Sequence, residues 1–195
     1  MNADARPARW NGAIIALHWI GAALILELLA HGWLMVHGGF SAAKTFDLFQ
    51  QHKSLGFVAL AVTVARLAAR ARTLAPPKPS SQAWERRLSG FVQALLYVLT
   101  LIVIASGWLI VSASPLPIPT RFFDLLVVPN IAAPNPPLFN AATLAHWLAA
   151  LVIAGLVALH VAGAVKHALV NRDNVLARML PRHALPSPVR EKGRG

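Results

Sequence analysis

The chain has 195 residues, 56% hydrophobic and only 13% charged, about half the charged share of a soluble domain (roughly 25%); with a mean hydropathy of +0.56 it reads as one membrane-embedded domain rather than a soluble core. The net charge of +11 does not point to nucleic acid, because the basic residues sit between and after apolar runs with no interleaved aromatics. The absence of cysteine removes disulfides, thiolate zinc sites, iron–sulfur clusters and C-x-x-C-H haem attachment together.

Residues 1–9 form a short polar arm with Arg6 and Arg9. The first apolar span, about 11–36, is too long for the core of a signal peptide and no convincing cleavage site follows, so it reads as a retained helix. It carries His18, then Glu27 and His31 one turn apart, and His37 follows it. A link over 37–51 leads to a second span, about 52–71, which opens on His52 and closes on Arg66 and Arg70. The Pro-rich loop TLAPPKPSSQ ends that helix. An amphipathic entry, Trp84 to Leu88, leads into a third span, about 89–111. That span has no histidine; Gln93, Tyr97, Ser106 and Trp108 are the side chains there able to line a site, although packing is their commoner role. A Pro-rich stretch joins it to the fourth span, about 141–170, with His146, His160, Lys166 and His167. Residues 1–181 thus form a single membrane domain, an all-α transmembrane four-helix bundle. Residues 182–195, including His183 nearby, form a basic tail expected to be disordered.

Charge sets the orientation. Of the 18 lysines and arginines, only Lys44, Lys53 and Arg121 fall on the side opposite the termini. Cytoplasmic loops carry the excess of Lys and Arg, so both termini are expected to be cytoplasmic.

Orientation then assigns depth to the histidines. His146 and His160 are fourteen residues apart, which on a helix places them within about 40° of one face and about 21 Å apart along the axis. That is most of a hydrocarbon core of about 30 Å. His18, two turns into an outward-running span, matches His160 in depth. His52, at the outer start of span two, matches His146, provided that spans one, two and four touch. A lone intramembrane histidine is often only a helix–helix hydrogen-bonding residue. Four at matched depths point to two sites holding metal ions or haems. Small residues near each (Gly21 and Ala22, Gly56, Ala149 and Ala150, Gly163 and Ala164) leave room for a flat porphyrin, whereas zinc wants three or four ligands at each site. Arg66, Arg70 and Lys166 inside, and Lys53 outside, are cations suited to haem propionates. Glu27 and His31 suit a hydrogen-bonded pair, or, more sharply, a proton path to a quinone.

The pieces LHWIGA (Leu17–Ala22), HKSLG (His52–Gly56), RLAAR (Arg66–Arg70), SGWL (Ser106–Leu109), AHWLAAL (Ala145–Leu151), LHVAGAVKH (Leu159–His167) and NRDNVLARMLP (Asn171–Pro181), in that order and spacing, resemble the bacterial cytochrome b561 family of four-helix di-haem membrane cytochromes. The resemblance covers about residues 8–181. It implies two non-covalent b haems, axial ligation by His18, His52, His146 and His160, electron transfer, a quinone partner and a place in the bacterial cytoplasmic membrane. Some members resemble a superoxide oxidase that passes the electron to ubiquinone.

Two imidazoles per iron leave no open coordination position, which favours outer-sphere electron transfer. The expected function is therefore electron transfer between an outer-face donor and the quinone pool. Superoxide is the suggested donor, drawn in by Lys44, Lys53 and Arg121. The alternative is a haem-bearing anchor for a separate dehydrogenase or hydrogenase, with the protein partner unspecified. A third reading is a histidine-lined transporter without haem. The modest outer loops and the lack of a fifth span favour a standalone oxidoreductase over the anchor.

Overall fold

The computed structural model describes residues 9–76, 82–116, 118–173 and 175–180. The tail beyond residue 180, with His183, and the loop residue Lys78 lie outside the described residues. The described residues hold four long helices: α1 (Gly12–His37), α2 (Ala42–Ala71), α3 (Ala83–Ala113) and α4 (Pro136–Lys166). With 26, 30, 31 and 31 residues, each is long enough at about 1.5 Å per residue to cross a core of about 30 Å. Each is also apolar enough to do so.

Side-chain caps start three of them. Asn11 Oδ1 accepts from Ile14 N–H at 2.9 Å, Ser41 Oγ from Lys44 N–H at 3.4 Å, and Asn135 Oδ1 from Leu138 N–H at 3.0 Å. Such caps satisfy amide groups that the first turn leaves without partners. Between α1 and α2 the chain turns through Gly39, whose φ of +62° lies in the left-handed region that glycine enters without steric cost.

Span two is the main departure from the sequence reading. Its helix begins at Ala42, so His52 lies three turns into it rather than at its start. The polar residues Lys44, Asp47, Gln50 and Gln51 read as a link. Because Ser41 caps the helix, that segment continues the α2 rod instead. Helices α3 and α4 likewise start several residues before their apolar runs.

The Pro-rich connection from α3 to α4 holds a feature the sequence did not suggest: a two-stranded antiparallel ribbon, β1 (Thr120–Phe122) with β2 (Leu126–Val128), in register Thr120↔Val128. Phe123 and Asp124, at φ 47° and 58°, make its tight turn. The ribbon is tied to α2 through Gln50, whose side chain bonds Pro119 O (3.1 Å) and Arg121 N–H (3.2 Å). It is tied to α3 through Trp108 Nε1–H, which donates to Pro129 O at 3.1 Å. We call this the ribbon end of the bundle. At the other, terminal end, the segment after α4 folds back on α1: Trp19 Nε1–H donates to Met179 O at 2.7 Å, and the Arg9 guanidinium to Leu180 O.

Few side chains are buried, and large apolar ones such as Leu26, Trp33, Phe91, Trp147 and Val170 face outward. A water-soluble protein avoids such a surface, whereas lipid contact requires it. Within the bundle α1 packs on α2 and α3 on α4, while α4 makes little close backbone approach to α1 or α2. The expectation that helices one, two and four touch holds for α1 with α2, whereas α4 meets both through side chains across a gap between the backbones.

Candidate functional site

Imidazoles bridge that gap at two levels. At the terminal end His18 of α1 faces His160 of α4, with ring centres 6.2 Å apart and planes at 77°. At the ribbon end His52 of α2 faces His146 of α4, again at 6.2 Å, with planes at 68°. Two imidazole nitrogens at about 2.0 Å on opposite sides of one metal, each about 1.1 Å from its ring centre, would put the ring centres about 6.2 Å apart. Both pairs have that spacing. No group of three or more His, Cys, Asp or Glu side chains converges among the described residues, so a tetrahedral metal site would lack ligands.

His146 is the most firmly seated of the four. Its Nδ1 lies 2.7 Å from Val103 O on α3. A carbonyl can only accept, so Nδ1 carries the proton and Nε2 the lone pair. Ser106 Oγ donates to the same carbonyl at 3.0 Å and stands 3.4 Å from Nδ1. Gly107 makes room for the ring against α3, because a Cβ there would stand only 3.1 Å from Cε1 and 3.2 Å from Nδ1 of His146. His18 and His52, by contrast, have buried Nδ1 atoms without a hydrogen-bond partner among the described residues.

The cations fall into two groups. Arg66 lies over the Tyr97 ring at 5.2 Å and Arg70 over the Trp10 ring at 5.2 Å, while Lys166 pairs with Glu85 and lies 5.7 Å from the Trp84 ring centre. Arg66 Nε and Tyr97 Oη are buried without a hydrogen-bond partner among the described residues. At the ribbon end Arg121 bonds Asp124 at 3.4 Å and helps to line a hollow of about 380 Å³ with Gln50, Gln51 and Phe123. Lys44, exposed on the first turn of α2, and half-buried Lys53 lie outside that hollow. Of Lys44, Lys53 and Arg121, only Arg121 therefore lines it.

Glu27 and His31 do approach each other, with Oε1 and Nδ1 3.1 Å apart. His37 stacks on Trp33 at 3.9 Å, a local contact of α1. His167 bonds Asp173 at 2.7 Å within the turn that follows α4, so it acts in that turn and not at the His18–His160 pair.

A family model described as prokaryotic cytochrome b561 matches residues 9–182. The chain belongs to the prokaryotic cytochrome b561 family. It is 30% identical over 176 residues to cytochrome b561 homolog 2 of Escherichia coli (strain K12), an alignment covering 89% of this chain and 92% of that relative. As a cytochrome b561 it is a multi-pass bacterial membrane protein of a family that carries b-type haem and serves electron transfer.

The residues present fit such a group. Gly56, one turn after His52, and Gly163, one turn after His160, have no atom within 4 Å of where a Cβ would stand. That clearance is what a flat macrocycle beside each pair requires. Gly21 is different: a Cβ there would touch Val62 at 3.6 Å, so it serves the α1–α2 contact. Ala149 is likewise buried in packing. The spacing of the histidines was legible in the sequence. The seat made by Val103 and Gly107 was not, since a backbone carbonyl leaves no mark in a residue pattern.

Proposed function

We propose that this cytochrome b561 holds two b haems, one between His18 and His160 and one between His52 and His146, and carries electrons between a donor at the ribbon end and the quinone pool. The observation that carries the reading is the pair of 6.2 Å imidazole gaps at two levels of one bundle, set fourteen residues apart on α4. When bound, the haems supply reversible one-electron chemistry. His18 with His160, and His52 with His146, would hold them at two depths of the bundle. Arg66 and Arg70 on α2, and Lys166 on α4, supply cations for the carboxylates of the terminal-end haem.

The terminal end, rich in Arg and Lys, is read as cytoplasmic and the ribbon end as the outer face of the inner membrane. Superoxide is the proposed donor and ubiquinone the proposed acceptor. Two superoxide anions each lose one electron to become dioxygen, and the quinone gains two electrons and two protons to become the hydroquinone. Arg121 at the ribbon hollow, with Lys44 and Lys53 on α2, makes the outer face attractive to a small anion. The test is quinone reduction by purified protein without any partner, driven by a superoxide source. Turnover that superoxide dismutase abolishes supports the reading. Haem-replete protein that reduces quinone only with an added dehydrogenase or hydrogenase would assign it the role of an anchor subunit.

A further inference from the structure

The connection from α3 to α4 carries little charge for a segment outside the spans. Over residues 114–135 its charged side chains are Arg121 and Asp124 alone, and these pair with each other at 3.4 Å. Around them apolar side chains are uncovered: Leu125 is 80% exposed, Val127 61% and Leu126 54%, with Phe123 beside them. Two strands of three residues are marginal by themselves, so the ribbon depends on its seat, and the seat fixes its depth. The bonds to α2 come from Gln50 and Ser54, which stand on either side of His52. A Cβ on Gly32 of α1 would lie 3.9 Å from Cε1 of His52, so Trp33 is close to that level, and Trp147 follows His146 of the facing pair. Both indoles are exposed, at 65% and 58%. Exposed tryptophans collect where the hydrocarbon meets the headgroups. The ribbon therefore lies at the membrane boundary and not in the water beyond it.

We propose that the ribbon is a lipid-docking element, with Phe123, Leu125, Leu126 and Val127 inserted among the acyl chains of the leaflet at that end. Two further observations favour lipid over a protein as the occupant. The first is the backbone, which is paired in the way an apolar layer demands. The β1–β2 ladder joins the strands, Gln50 takes Pro119 O and Arg121 N–H, Ser54 takes Arg121 O and Phe123 N–H, and Leu125 N–H donates to Phe122 O at 2.9 Å. Pro119 and Pro129, which flank the ribbon, have no N–H to satisfy. A docking face for a soluble protein would not need such pairing, because water serves it between encounters. The second is continuity: exposed Phe46 of α2 shares the hollow with Phe123, so the ribbon's apolar surface runs on into the lipid-facing surface of the bundle. Elements of this kind hold to a membrane by burying apolar area at the boundary between headgroups and chains. The Arg121–Asp124 pair then sits among the headgroups, and the hollow it lines is set at the membrane surface.

The chain has no cysteine, so single thiols report position without background. The test places the haem-loaded full chain in nanodiscs of phosphatidylethanolamine and phosphatidylglycerol and follows reaction with a charged, membrane-impermeant maleimide. Ala43→Cys, exposed on the first turn of α2 and about 14 Å beyond His52 along that helix, marks the rate in water. Val98→Cys, exposed at the middle of α3, marks the rate in lipid. Leu125→Cys and Val127→Cys should react at least about tenfold more slowly than Ala43→Cys, since a thiol among acyl chains stays protonated and out of the reagent's reach. All four should react alike once the chain is unfolded in denaturant. Where a thiol variant fails to fold, wild type decides the matter: with a phospholipid carrying a diazirine near the glycerol end of one acyl chain, photolysis should leave adducts on residues 123–127. Rates at Leu125→Cys and Val127→Cys equal to that of Ala43→Cys, or wild type with no adduct in 123–127, overturn the proposal and leave the turn as a face for a protein partner.

Discussion

Replacing Gly107 by alanine tests the seat of His146 with a sign that separates it from ordinary helix energetics. In a helix interior, Gly→Ala is worth up to about 1 kcal/mol in favour of the folded state. At Gly107 the new methyl would stand 3.1 Å from Cε1 and 3.2 Å from Nδ1 of His146, well inside an ordinary contact of about 3.5–4.0 Å. The ring must retreat by several tenths of an ångström, and the 2.7 Å bond to Val103 O stretches with it. Such overpacking costs about 1–3 kcal/mol. Carried by cofactor binding, that is a loss of about 5- to 150-fold in affinity at the ribbon-end site. The assay is haem stoichiometry and the reduced-minus-oxidised spectrum of Gly107→Ala, with Gly155→Ala as control because a Cβ there meets nothing within 4 Å. The control should keep wild-type haem content and melt no lower. If Gly107→Ala behaved like the control, the seat described for His146 would be wrong.

Gly56→Ala and Gly163→Ala should be neutral or stabilising in haem-free protein, since nothing lies within 4 Å of either position; in loaded protein each should weaken its own site only, as read by haem retention on dilution. Equal haem retention in both variants and wild type would mean that those clearances face lipid and not a cofactor. Ser54 is 2% exposed, and its hydroxyl joins Gln50 O (2.9 Å), Arg121 O (3.0 Å) and Phe123 N–H (3.0 Å). Ser54→Ala should therefore cost about 1–3 kcal/mol and speed proteolysis within residues 118–128, a change that limited digestion would detect; an unchanged cleavage pattern would show that the ribbon is held by other contacts.

The sequence disclosed the bundle because hydropathy and proline punctuation are local signals. The two histidine levels followed from helical arithmetic on His146 and His160. Four things stayed hidden. The start of α2 was misplaced because Lys44, Asp47 and Gln50 are polar, whereas the rod is set by the Ser41 cap and by backbone hydrogen bonding, neither of which needs apolar residues. The ribbon at 120–128 escaped notice because its strands are three residues long and owe their place to Gln50 and Ser54, some 70 positions earlier. The His146 seat depends on a carbonyl and on the absence of a side chain. Arg66 was legible as a cation at the right depth, but its place over the Tyr97 ring was not.

Haem stoichiometry of purified wild type, His146→Ala and His160→Ala, each with a reduced-minus-oxidised spectrum, tests the central claim most directly. Two haems in wild type and one spectrally distinct haem in each variant are the predicted result. Wild type without a b-type α-band, or either variant retaining both haems with unaltered spectra, would contradict it.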